Sequence, residues 1–335
     1  MKAEILKDTI WCDQCGSAEA RPVAEGSDRE YPTTPDMFRV VECVRCGLWY
    51  LNPRPAVTEL DTIYPGNYHA YNIRPPASQG EEAKPLVTRF RHWLYSQRFH
   101  HPLRFLREKG NLDLLDIGCG DGWMLDLYKI AGAGRITTFG VDFKDSICDV
   151  ARSYGHTVYC GRFEDLDLNR KFDLINMSHV IEHVSSPTEV ARKSFALLRP
   201  GGVFVLETPN KDTWDCRKYQ AVAWGAYHIP RHWNLYDPRT IRRLGESAGF
   251  QLREVRFHPA PVHWVWTFHN LAVGKPGSLS RAMERMFSPL DVFRGGIKAF
   301  MLLATFTVLD MLVLASTGKT SNMMAIFQKP GTGNG

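Results

Sequence analysis

The chain lacks a run long enough to cross a membrane. Ala299–Leu309 is apolar, Asp310 stops it, and the pattern resumes only over Met311–Ala315. That is short of the roughly 20 apolar residues a bilayer crossing takes. It also lacks an excess of either charge: 41 Lys and Arg face 36 Asp and Glu, a net +5 over 335 residues. Such a balance permits an anionic partner without demanding one. Met1–Ile10 holds charged residues and no long apolar stretch, so no secretory leader is expected and the chain is read as cytoplasmic. No internal repeat is visible, which argues against a solenoid. The length suffices for a full domain core and a smaller module beside it.

The eight cysteines follow no disulfide framework. Four of them pair as Cys12-x-x-Cys15 and Cys43-x-x-Cys46, and glycine follows each pair at once (Gly16, Gly47). Two such knuckles supply four thiolates, a closed tetrahedral zinc site. Four protein ligands leave no open position, so the zinc is read as structural. Two disulfides or a redox dithiol are the alternatives. Ala18–Thr34, between the pairs, reads as a loop or an extra hairpin. Cys119, Cys148, Cys160 and Cys216 are scattered and read as small buried hydrophobes.

The strongest signal is Leu114-Leu-Asp-Ile-Gly-Cys-Gly-Asp-Gly122, followed by Gly140-Val-Asp142. Leu112, Leu114, Leu115 and Ile117 read as a buried strand. Gly118, Gly120 and Gly122 form a turn, and Trp123–Ala131 carries a helical pattern. Asp142 closes the next strand, where a carboxylate can accept from ribose hydroxyls. The glycine spacing is G-x-G-x-G, which is not the dinucleotide fingerprint. Asp116 and Asp121 flank the turn and would repel a pyrophosphate, but suit a cation.

These residues resemble the class I S-adenosylmethionine-dependent methyltransferases, in the subgroup with an N-terminal four-cysteine zinc ribbon. The resemblance covers roughly 111–257 and returns at 321–329. It includes Phe172–Met177 as strand four, Leu197–Glu207 with its Pro-Gly-Gly turn as strand five, and Gln251–Phe257 as strand six. It implies an α/β fold: a seven-stranded Rossmann-like sheet, the ribbon in front, and a helical insertion between strands six and seven. The expected organisation is ribbon 1–55, aromatic linker and basic helix 56–110, core 111–258, insertion 259–320, last strand 321–329 and tail 330–335.

The resemblance assigns Asp116, Gly118, Cys119 and Gly120 to the methionine end of S-adenosylmethionine and Asp142 to its ribose. Phe143 is expected on the adenine, with Phe163 and Glu164 at the adenine edge, where Arg162 replaces the family's frequent aspartate. Ile63–Tyr71 is aromatic-rich; Tyr68 is read as covering the cofactor, with simple packing as the alternative. Histidines crowd the ends of strands four and five. His228 and His232 are the favoured proton acceptors, because no period buries them, and His179 is the next candidate and a cofactor contact.

Leu86–Gly110 is unusually basic, through Arg89, Arg91, Arg98, Arg104, Arg107 and Lys109. A membrane-surface helix, a phosphate patch and a solvated face all remain open. The insertion joins Trp264, Trp266 and Phe268 to Arg281, Arg285, Arg294 and Lys298 and an apolar segment. Its flanking strands belong to one sheet, so a single crossing is excluded. Contact of 264–316 with a membrane surface, a lid and an oligomer interface are the readings. The function expected is methyl transfer to a hydroxyl of a glycan, lipid-linked sugar or other small molecule. The rivals are an RNA methyltransferase and an inactive cofactor-binding scaffold.

Overall fold

A computed structural model describes residues 3–68, 71, 96–220, 223–294 and 296–331. The ribbon contributes β1 (Lys7–Asp8), β2 (Ala20–Ser27), β3 (Met37–Cys43), β4 (Trp49–Leu51) and β5 (Arg54–Pro55). The core contributes β6 (Leu112–Ile117), β7 (Ile136–Asp142), β8 (Thr157–Cys160), β9 (Phe172–Ser178), β10 (Leu198–Pro209), β11 (Asn234–Leu235), β12 (Gln251–Phe257) and β13 (Asn322–Gln328). Seven of these form one sheet in the order β12-β13-β10-β9-β6-β7-β8. Its parallel ladders include Leu112 opposite Ile136 and Leu114 opposite Leu174; β13 runs antiparallel to both neighbours. Central strands covered on both faces read as near-continuous apolar runs. Thus Leu112, Leu114, Leu115 and Ile117 of β6 are all buried, as is every apolar residue of β9.

Residues 20–43 form the extra hairpin, with β2 antiparallel to β3. The ribbon does not stand apart from the core. β11, more than 180 residues downstream, pairs with β4 (Asn234 opposite Tyr50) and completes the four-stranded sheet β11-β4-β3-β2. Cys12, Cys43, Leu48 and Tyr50 share one apolar cluster with Ile175 and Phe204 of the main sheet.

The basic segment is described only from residue 96. There Arg98 pairs with Glu207 at 3.1 Å, Arg104 with Glu254 at 2.9 Å and Lys109 with Asp173 at 2.9 Å. These three cations are spent on core carboxylates, so the described part carries little free positive charge. Arg89 and Arg91 lie outside the described residues.

The insertion holds helices Pro261–Ala272, Ser278–Met286, Pro289–Arg294 and Ile297–Thr317. The last, 21 residues long, is the one described helix whose length and composition would allow it to cross a membrane. This corrects the reading of Asp310 as an interruption. Asp310 faces inward, accepting from the Trp264 indole at 2.7 Å and the Ala260 amide at 2.6 Å. Phe306 stacks on Trp264 and Phe268 on that inner side. The outer side shows Ile297, Phe300, Met301, Val308, Met311 and Leu312, each at least 58% exposed. Both sides are therefore apolar, and only the inner one is covered by described residues.

Candidate active site

Where β6 ends, the chain turns through Gly118, φ +73°, and a Cβ there would stand 2.3 Å from Val180. Only glycine fits this approach. Asp142, ending β7, accepts from the Gly120 amide at 3.0 Å and the Lys144 amide at 3.2 Å. Burial pushes its carboxyl up, against the pull of those amides. Asp116 is 2% exposed and accepts from the Asn176 amide at 2.7 Å. Burial pushes its carboxyl up to about 7, Asn176 opposing and the Asp142 charge adding. A carboxylate this costly to charge gains most from a cationic partner.

Gly118, Asp142, Phe143, Phe163, Glu164 and Val180 line a cavity of about 100 Å³ at this end of the sheet, where α/β sheets bind ligands. Cys119 is buried beneath the turn. Arg162 reaches Glu164 at 3.2 Å and Ser185 at 3.2 Å, so the residue departing from the family pattern is tied to its neighbour. Tyr64 also lines the cavity, its ring 6.1 Å from Phe143. Tyr68 does not; its hydroxyl lies 3.3 Å from Nε2 of His228. A larger open groove of about 820 Å³ runs past Trp49, Lys211 and Arg253. It includes no residue of the glycine turn.

The histidines converge beside that cavity. His183 lines it, and its ring is 4.6 Å from His232 and 6.2 Å from His228; His228 and His232 are 4.9 Å apart. Contrary to the sequence reading, His228 and His232 are both buried, at 4% and 8% exposure. They lie in an aromatic cluster with Tyr68 and Trp266 that no local period reports.

The structure gives the histidines different partners. Nδ1 of His232 donates to the Ala226 carbonyl at 2.7 Å, and Nε2 faces Glu182 at 3.9 Å. Burial drives this imidazole well below its usual range. Nδ1 of His183 meets the Arg231 carbonyl at 3.0 Å and the Tyr64 hydroxyl at 2.8 Å. Nδ1 of His179 lies 3.3 Å from Glu182, and its side chain is 42% exposed. Burial lowers the His179 imidazole, but Glu182 more than offsets this, for a net rise. Burial would raise Glu182; His179 and the other two rings hold it at about 2. Nδ1 of His228 touches the Glu30 carboxylate, delivered by the ribbon.

Among the described residues, two groups could hold a metal. Glu182, His183 and His232 bring ligand atoms within 4.8 Å of one another, yet each already has protein partners and reads as a hydrogen-bonded network. Cys12, Cys15, Cys43 and Cys46 cluster just as closely, with sulfurs 3.5 Å apart across Cys12–Cys46 and Cys15–Cys43. Thiolates at about 2.3 Å from a tetrahedral ion lie about 3.8 Å apart, so the donor set fits zinc. Amides of Gly16 and Gly47 close both knuckles onto Cys12 and Cys43.

Sequence reasoning missed Asp28, Glu30 and Arg231. Arg231 is fully buried and bidentate on Asp28, at 3.1 and 2.7 Å. The one available signal was Arg231 between two histidines, in a segment otherwise rich in aromatics.

A family model described as a methyltransferase domain matches residues 90–255. A ubiquinone biosynthesis O-methyltransferase of Haemophilus ducreyi is 33% identical over 189 residues, covering 48% of this chain and 78% of that protein. One from Coxiella burnetii is 28% identical over 164 residues, covering 44% and 68%. The crystal structure of a SAM dependent methyltransferase from Archaeoglobus fulgidus shares 18% identity at a TM-score of 0.44, over 71% of this chain and 94% of that one.

Proposed function

Because this chain belongs to the class I S-adenosylmethionine-dependent methyltransferases, we propose that it methylates a hydroxyl of a lipid-linked sugar or comparable small acceptor, taken from a membrane surface. Asp142 holds the ribose, Asp116 and the glycine turn the methionine end, and Phe143 and Phe163 the adenine. When bound, the cofactor supplies a methyl carried on a positive sulfur, open to in-line displacement. The protein must align the acceptor oxygen, keep water out, and take the hydroxyl proton. His228 is the acceptor of that proton at Nε2. His232 is spent on Ala226 and Glu182, and His179 is paired with Glu182.

One observation carries the choice of acceptor. The His228 ring lies 4.7 Å from Trp266, which shares one apolar cluster with Trp264 and Phe306, and the helix that carries Phe306 offers an exposed apolar stripe on its far side. A molecule with an apolar tail can thus lie against the stripe while its hydroxyl enters the cluster. The relatives' names, which specify O-methyl transfer in ubiquinone biosynthesis, agree with a hydroxyl acceptor. Eight cysteines free of disulfides suit a reducing compartment, and thus the cytoplasmic side of a membrane. Cys12, Cys15, Cys43 and Cys46 hold one structural zinc.

Labelled methyl transfer to prenyl-linked phenols, lipid-linked sugars, free sugars and RNA tests the reading. Transfer to a lipid-bearing hydroxyl is expected, and His228→Ala should lower it roughly 10²–10⁴-fold with cofactor affinity intact. Transfer to RNA alone rejects the acceptor. Absence of cofactor binding rejects the enzyme in favour of a scaffold.

A further inference from the structure

The hairpin β2–β3 has two working ends. Cys43 closes β3 at the knuckle end. At the other end, some 20–25 Å away for seven extended residues, the chain between Ser27 and Met37 enters the histidine cluster. There Asp28 is wrapped by its own loop, accepting from the amides of Tyr31 at 3.1 Å and Thr33 at 2.9 Å. Arg231 grips it from the opposite side and anchors through Nε to the Ile63 carbonyl at 2.7 Å. The Arg231 guanidinium also covers the Tyr31 ring at 4.5 Å. This buried clamp leaves Glu30, with a side chain only 4% exposed, against Nδ1 of His228.

We propose that Glu30 is a positioning residue for His228: its carboxylate accepts from Nδ1–H and keeps the proton on that nitrogen, so that Nε2 is the basic nitrogen turned toward Tyr68 and the acceptor. This rests on the reading of His228 as base and assigns the ribbon a part in the chemistry. A carboxylate on one imidazole nitrogen sets the tautomer and stabilises the imidazolium formed when the other accepts a proton. Other charges around the pair are accounted for. Asp28 and Arg231 offset each other. Burial holds both His183 and His232 below their usual range and thus neutral. Tyr31 and Tyr68 face the His228 ring, and Glu25, Arg29 and Tyr227 line the small cavity beside the pair. Burial pushes the Glu30 carboxyl well up, with Arg231 pulling it back and Asp28 adding to the rise.

The sign of a Glu30→Gln change follows. Removing the carboxylate leaves a buried imidazolium without its partner, so His228 should titrate about 1–3 pH units lower. Histidine-selective nitrogen-15 NMR of the full-length protein reads this directly, without an acceptor. In the wild type, above the midpoint, the neutral His228 ring should carry its proton on Nδ1. Glu30→Gln should lower the midpoint, and Glu30→Asp, which keeps the charge, should restore most of it. Cofactor affinity should stay within about twofold in both folded variants, since neither touches the cavity. An unchanged midpoint in Glu30→Gln overturns the proposal. So does a wild-type ring protonated on Nε2, a result available even if no variant folds. The base assignment fails separately: His228→Ala would then keep its turnover while the NMR result stands.

Discussion

Two aspartates at the ends of neighbouring strands face different demands. Asp142 is held by backbone amides and lines the cavity, so it can bind ribose hydroxyls without moving. Asp142→Ala should weaken cofactor binding by about 1.5–3 kcal/mol, the scale of lost charge-assisted hydrogen bonds. Calorimetry on the folded variant checks this; unchanged affinity would remove the residue from the site. The proposed hold of Asp116 on the cofactor's cationic end implies a pH dependence. Burial pushes its carboxyl up to about 7, and only the ionised form attracts a cation. Cofactor affinity should therefore rise with pH through about 7 and fall below it, approaching tenfold per unit for one linked proton. Asp116→Asn should bind weakly at every pH, with this dependence gone. Titrations between pH 5.5 and 8 in both proteins would show it.

At the scale of elements, the hairpin is the part whose role changes most on folding. Its knuckles are local: Gly16 and Gly47 adopt φ of +70° and +77°, which other residues resist, and each turns two thiols inward. We expect one zinc per chain in the wild type and little or none in Cys43→Ser, by elemental analysis of dialysed protein. Metal content untouched by that change would reject the site. Because β3 runs from Cys43 back to the loop bearing Glu30, the variant should also disturb the His228 signal. The helix Ile297–Thr317 shows the opposite case, an element whose sense depends on a neighbour. Its charged residue stabilises the fold because the Trp264 indole and the Ala260 amide meet it.

Over the whole molecule, ribbon, core and insertion meet around His228: Glu30 comes from the first, His183 from the second and Trp266 from the third. The apolar stripe lies outside that meeting point. The full chain should float with anionic liposomes, and a variant with 264–316 replaced by a short linker should not. Salt should weaken flotation by screening Arg281, Arg285 and Lys298, without abolishing it, since apolar burial is insensitive to salt. Equal flotation of the two proteins, or none by either, would make the segment an internal lid or a contact between copies.

The sequence by itself determined the sheet, the glycine turn and the thiol knuckles. Leu112–Ile117, Trp123–Ala131 and Gln251–Phe257 have the same bounds in the reading and in the structure, because a central apolar strand, a helix after a glycine turn and a strand that follows a helix-closing glycine are each written in consecutive residues. The placing of Asp116 near the end of β6, Gly118 in the turn after it and Asp142 at the end of β7 was legible for the same reason. Tertiary structure alone decided which partners each histidine meets. His228 and His232 stand four apart in one loop, and their partners separate them: distant Glu30 for one, the nearby Ala226 carbonyl and distant Glu182 for the other. The clamp that sets this arrangement joins Asp28 to Arg231 across 203 positions. No local period encodes such a contact, because burial makes it and only the folded chain says what is buried beside what.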